Sequence, residues 1–186
     1  LEFRRVLFRS DEKSIRAMVE SYEDESFDDS ITAGLITLEL LTFAWAQQDP
    51  EGALAWADER DPFIEQDIAT QSILDSWARN DPEAALAWAR ENYNEKDRRL
   101  GRGNELLLGV IRGMSVKDLA GATELMTELH YSLYLDDAAS ILVPKVWARG
   151  ELAVMNWAKS LPPGEARDAA YRSIGKKLAQ IGRAHV

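Results

Sequence analysis

The chain has 186 residues, 46% of them apolar, 16 aromatic and none cysteine, and 32 acidic against 22 basic residues leave a net charge of −10. The length suits one domain able to bury about 70% of its unfolded surface, and the apolar and aromatic share excludes intrinsic disorder, which needs low hydrophobicity alongside high charge. The lack of cysteine excludes disulfide scaffolds, thiolate metal sites and cysteine nucleophiles, and the acidic balance argues against a nucleic-acid partner, because phosphate binding rests on a basic face.

In chain order, the first predicted helix covers 14–22. The acidic run EDESFDD links it to a second helix over 30–48. Glu23, Asp24, Glu25, Asp28 and Asp29 lack the glycine and spacing of an EF-hand calcium loop and read as a solvated linker. Asp49-Pro50-Glu51 and Asp81-Pro82-Glu83 are then strong helix starts. Asp caps orphan N–H groups, Pro suits the first turn, and Glu faces the positive end of the helix dipole. The same Pro ends the helix before it, so the junction is a tight turn between antiparallel neighbours. Ala53, Trp56 and Ala57, and again Ala85, Trp88 and Ala89, place one apolar face on each of these helices. The helices that follow show Ala69, Ile73 and Trp77 at intervals of four, and in the last unit Ala166, Ala170, Ile174 and Leu178. Pro144 predicts a kink or a late start in the helix carrying Ile141, Val146 and Trp147. No apolar run approaches the roughly 20 residues of a membrane span, the greasiest stretch being broken by Thr37, Glu39 and Thr42.

All six tryptophans stand in Trp-Ala dipeptides, at 45, 56, 77, 88, 147 and 157. The strings WAQQDPEGALAWA and WARNDPEAALAWA are nearly the same, and a third pair reads WARGELAVMNWA. Between them GMSVKDLAGATELMTEL aligns Asp118 with Asp49 and Asp81 and puts Met114 and Leu125 at the tryptophan positions, giving spacings of 32, 37 and 33. Such periods belong to helical-repeat arrays. The expected fold is all-α, an α/α solenoid of about four to five stacked antiparallel helical hairpins. Tryptophan at the repeat period beside a small alanine reads as inter-helix core. Trp88→Ala is therefore expected to lower the melting temperature far more than Arg99→Ala.

The pattern resembles tetratricopeptide-like α-solenoids, and more closely the tandem Trp-Ala-x-x-Asp-Pro-x-x-Ala-x-x-Trp repeats of large uncharacterised bacterial proteins. The resemblance covers nearly all of 11–180. It departs from the tetratricopeptide consensus in lacking the Leu-Gly and Tyr after the first Trp, and in its drifting period. The resemblance implies a protein or peptide partner and no catalytic, cofactor or metal residues. It also implies a concave surface lined by first helices, offering Glu51, Asp58, Glu83, Arg90, Glu91, Asn156 and Lys159.

The ends read differently. LEFRRVLFRS and IGRAHV resemble translated read-through of a common short-read sequencing adapter. Leu7-Phe8-Arg9-Ser10 can be encoded by CTCTTCCGATCT, whose reverse complement, read two bases in, gives the Ile, Gly and Arg of 181–183. Residues 1–10 and 181–186 are accordingly expected to be adapter-derived, with 11–180 a helical-repeat fragment. Setting them aside removes four arginines and one glutamate and leaves 18 basic and 31 acidic residues, a net charge of −13.

Candidate chemistry is sparse. His130 has no histidine partner for a metal site or an HExxH motif once His185 is set aside, and reads as an ordinary, partly buried residue. The many carboxylates include no pair that stands out for acid–base work. The one basic concentration is KDRRLGRG, 96–103, in the longest loop, made mobile by Gly101 and Gly103 and lacking the Lys-Ser or Lys-Thr of a phosphate-binding loop. Arg98, Arg99 and Arg102 there, with Arg90 nearby, are the candidate partner-binding residues, set to dock an acidic partner. The expected function is a non-enzymatic protein–protein interaction scaffold, part of a larger bacterial repeat protein, with self-association through apolar repeat ends. The alternative is a superhelical accessory domain of an enzyme, such as a peptidoglycan-processing one, whose catalytic domain lies outside these residues.

Overall fold

The computed structural model describes residues 10–21, 31–59, 64–92 and 102–183. These form ten helices and no strand: α1 (Glu12–Ser21), α2 (Ile31–Ala46), α3 (Pro50–Asp58), α4 (Ile64–Asn80), α5 (Pro82–Glu91), α6 (Arg102–Met114), α7 (Leu119–Met126), α8 (Ser132–Trp147), α9 (Glu151–Ser160) and α10 (Glu165–Arg183). The fold is all-α. The run EDESFDD and residues 1–9 and 184–186 lie outside the described residues, while Ile181–Arg183 continue α10 as exposed helix.

Local chemistry sets the helix starts. The side chains of Asp49, Asp81 and Asp118 accept hydrogen bonds from the backbone N–H of Gly52, Ala84 and Gly121, at 2.9, 3.0 and 2.9 Å. All three hold nearly the same backbone angles, φ −142, −136 and −123° with ψ 82 to 86°. Each also donates its own N–H to the carbonyl four residues back, on Trp45, Trp77 and Met114. One residue thus closes one helix and opens the next, each bond satisfying an otherwise orphaned group. Met114 therefore stands where Trp45 and Trp77 stand, as the alignment expects. A further cap escapes the sequence reading: Asp11 accepts from Ser14 N–H at 2.8 Å, starting α1 two residues earlier than expected. That bond and one from the Ser14 hydroxyl hold the Asp11 carboxyl below its ordinary range. The last cap is Gly150, whose φ of 108° and ψ of 161° suit glycine alone. It follows the Asp118 cap by 32 residues, while Met114 and Trp147 keep the expected spacing of 33. Pro144 neither delays nor ends α8, which starts at Ser132 and runs three residues past the proline.

The principal helix contacts join elements one or two places apart in the chain. The even-numbered helices form one layer, α2 on α4, α4 on α6, α6 on α8 and α8 on α10, and each odd-numbered helix from α3 on packs against the even-numbered helices on either side of it. Two junctions in the even layer are unusually close. Ser72 and Ser76 of α4 donate hydroxyl hydrogen bonds to the Glu39 and Phe43 carbonyls of α2, at 2.6 and 2.7 Å. On α6 the matching positions, 37 residues on, are Gly109 and Gly113, facing the Gln71 and Asp75 carbonyls of α4. A Cβ on Gly109 would lie 2.8 Å from the Gln71 oxygen, and one on Gly113 would overlap the Asp75 oxygen outright. The three helices approach closely enough that Arg112 of α6 reaches Glu39 of α2 across α4, at 3.8 Å.

Three apolar clusters fill the interior, the first under α1–α4, the second under α4–α8 with Ala169 of α10, the third under α8–α10. All six tryptophans pack on them. Trp45 and Trp56 are buried, with ring centroids 6.2 Å apart. The rest are partly buried, Trp77 and Trp88 touching both the first and second clusters and Trp157 the second and third. Five of the six partnering alanines are buried; Ala148, in the turn after α8, is exposed. Of the stripe expected on the last helix, Ala170 and Ile174 are buried, whereas Leu178 is 43% exposed, beyond the reach of the third cluster.

Candidate functional site

One groove of about 480 Å³ opens where α3, α4, α5 and α6 meet. Helix α3 supplies Glu51, Leu54, Ala55 and Asp58, a single face by their spacing of three and four. From α4 come Gln66, Asp67, Thr70 and Gln71, from α5 Trp88 with Asn92 just after it, and from α6 Gly103, Glu105 and Leu106. The volume lies in the range of about 300–1,000 Å³ typical of ligand clefts. Its described wall carries four carboxylates, one tryptophan, two leucines and several neutral hydrogen-bonding groups. The Asp-Pro caps aim α3 and α5 out of tight turns, so the residues seven beyond each cap, Trp56 and Trp88, take equivalent places: one fills the core and the other is left partly open to the groove.

A neighbouring cleft, lined by Tyr134 and Asp137 of α8, shares Gln71 and Glu105 with this groove. Tyr134 donates its hydroxyl to Glu105 Oε1 at 3.1 Å. Burial first, then the charge of Glu105, the bond to it, and the charges of Asp67 and Asp137 push the Tyr134 hydroxyl up to about 12. Burial and the neighbouring Asp136 likewise raise the Asp137 carboxyl, against the opposing charges of Arg112 and Lys176. Among the described residues no three His, Cys, Asp or Glu are grouped to hold a metal ion, and no helix is long and apolar enough to cross a membrane.

Of the residues expected to bind a partner, Arg90 is the one whose side chain is described, and it does not line this groove. Arg90 is exposed on α5 and spends its guanidinium on Glu128, with hydrogen bonds of 2.9 and 3.0 Å to its two oxygens. Arg98 and Arg99 lie outside the described residues, and Arg102 is the first residue of α6. Gly103, expected to loosen a loop, is instead buried in the first turn of that helix. Of the candidate concave residues, Glu51 and Asp58 do line the groove, while Glu83, Glu91, Asn156 and Lys159 are exposed elsewhere. The wall is also not made of first helices alone, since α4 and α6 supply half of it. His130 is exposed rather than partly buried; its backbone N–H, not its ring, is the group engaged, donating to Asn104 Oδ1 at 3.1 Å. It lines a second cleft of about 400 Å³ with Tyr131, whose φ of 75° is strained for a residue with a side chain.

No protein-family model matches the chain, and no curated protein or solved structure matches it at a significant level.

Proposed function

We propose that this chain is a helical-repeat scaffold, an α/α solenoid of stacked antiparallel hairpins of the tetratricopeptide-like kind, whose role is to hold a protein or peptide partner without doing chemistry on it. The observation that carries this reading is the groove itself, built jointly by α3 through α6 so that two successive hairpins share one open wall. The recurring Asp caps and the matched pairs Ser72/Ser76 and Gly109/Gly113 support the repeat, because they solve the same joint at the same register. The polar and apolar groups of the wall suit a peptide, whose backbone amides need partners such as Gln66, Gln71 and Asn92 and whose side chains need apolar floor such as Leu54 and Leu106.

The test is selection of binders from a random-peptide phage library against the folded protein, with Ala55→Arg as a blocked groove. Ala55 is exposed, so arginine there costs the fold little. Selected peptides should bind the parent and lose at least tenfold in affinity to the blocked variant. Peptides that bind both equally, or a library that yields no enrichment, would remove the groove from the reading.

A further inference from the structure

The occupant of the groove can be narrowed, an inference that rests on reading the groove as a partner-binding surface. We propose that it takes the guanidinium or ammonium group of a basic peptide segment, seated against the Trp88 ring and the carboxylates of Glu51 and Asp58.

Charge complementarity carries this. The described wall holds Glu51, Asp58, Asp67 and Glu105 and neither lysine nor arginine. Arg90, on the same helix as Trp88, is turned to Glu128 and does not line the groove. Glu51 and Asp58, both exposed, would meet an entering cation with negative charge, inside a chain already at −10. Tyr134 lines a neighbouring cleft that shares Glu105 with the groove, and its hydroxyl is raised first by burial and then by the charges of Glu105 and Asp67, which disfavour a further anion there. By the same logic they favour a cation.

Shape and surface chemistry agree. Trp88 alone of the tryptophans lines the groove, and a partly open indole is the best ring for a cation to rest on. Leu54 and Leu106 offer apolar surface on which the aliphatic stem of lysine or arginine can lie while its head reaches the carboxylates. The remaining wall is amide and hydroxyl, able to pair with the peptide backbone on either side of that anchor. An acidic peptide would find no lysine or arginine among the described residues of the wall, and a fully apolar one would leave exposed carboxylates to be desolvated unpaired.

The probe is a fluorescein-labelled nonapeptide with three arginines spaced by glycine and serine, read by fluorescence anisotropy against the full chain. Counterparts carry glutamate or leucine in place of arginine. We expect saturable one-to-one binding of the arginine peptide, weakened at least tenfold by Glu51→Gln with Asp58→Asn and several-fold by Trp88→Phe. Glu151→Gln with Asp168→Asn removes two exposed carboxylates on α9 and α10, and should leave affinity unchanged. Four outcomes overturn the proposal: no binding of the arginine peptide; equal loss in both double variants, which means attraction to the net charge; tighter binding of the glutamate or leucine peptide; or binding that emerges only after Arg98 and Arg99 are replaced by serine, which means the chain's own basic segment is the occupant. If phage-selected peptides still depend on Ala55 while the arginine peptide fails, the groove keeps its role and only its assigned occupant is lost.

Discussion

The two tight joints of the even-numbered layer meet the same backbone problem with opposite chemistry. Where α4 crosses α2, two serines fill the gap and anchor it with hydroxyl bonds to the Glu39 and Phe43 carbonyls. Where α6 crosses α4, two glycines leave no side chain at all, and backbone lies directly on the Gln71 and Asp75 carbonyls. A serine joint is held by directional bonds and tolerates a methyl-sized group. A glycine joint is held by packing and dispersion and tolerates nothing larger than hydrogen. The small position is thus what the architecture requires, and the hydroxyl is one of two ways to use it.

The largest expected effect calibrates both joints together. Trp88 packs against the clusters on either side of α4, so Trp88→Ala should cost about 3 kcal/mol, the low end for a truncated aromatic because the ring is only partly buried. At roughly 2–4 °C per kcal/mol for a chain of this size, calorimetry should show a fall of about 6–12 °C. Arg99→Ala should shift the melting temperature little, and equal effects would remove Trp88 from the core.

Gly113→Ala separates the joints. Helix propensity alone would make alanine stabilising by about 0.5–1 kcal/mol, whereas the clash with the Asp75 carbonyl predicts a loss of about 1–3 kcal/mol. Chemical denaturation decides by the sign alone. Gly109→Ala should lose less, its nearest contact being 2.8 Å.

Ser76→Ala tests the other joint more gently. The side chain is fully buried and its 2.7 Å bond to Phe43 is lost, yet alanine fits the space and favours helix, so the net cost should be about 0.5–1 kcal/mol. If Ser76→Ala cost more than Gly113→Ala, the two joints would have to be held by the same forces.

The smallest effect lies at the next contact, α6 on α8, where Tyr134 meets Glu105. The folded state raises this hydroxyl from 10 to about 12, so it holds the proton more tightly than the unfolded chain does. Its contribution is complete below pH 10 and is lost as the pH rises through about 12. Tyr134→Phe should flatten the alkaline fall in stability across that window; an unchanged slope would mean the hydroxyl feels no such field.

What could be read beforehand was what chemistry writes locally. Asp-Pro-Glu caps a helix within three residues of itself, so the caps at Asp49 and Asp81 were legible, and aligning Asp118 with them made its cap legible too. Asp11 was missed because it lies beside a segment assigned to adapter and is not followed by proline. The glycine and serine joints were invisible, since their meaning depends on which carbonyl lies opposite. Of the groove, Glu51 and Asp58 were among the seven residues that the family resemblance offered for a concave surface, and the other five do not line it. Asp67 and Glu105 were not foreseen, because whether a residue on α4 or α6 faces outward depends on how far each helix is rotated about its axis, and that is settled by the same small-residue joints.

The short reach of the helix contacts has a consequence for how the chain acquires its structure. Because each helix finds its principal partners one or two places along, little entropy is spent closing long loops. Chains dominated by such local contacts reach their native state in microseconds to milliseconds. Synthesis, at about 5–20 residues per second, is far slower. Each helix can therefore settle on those before it as it leaves the ribosome, and the growing edge of the fold need never wait for the end of the message.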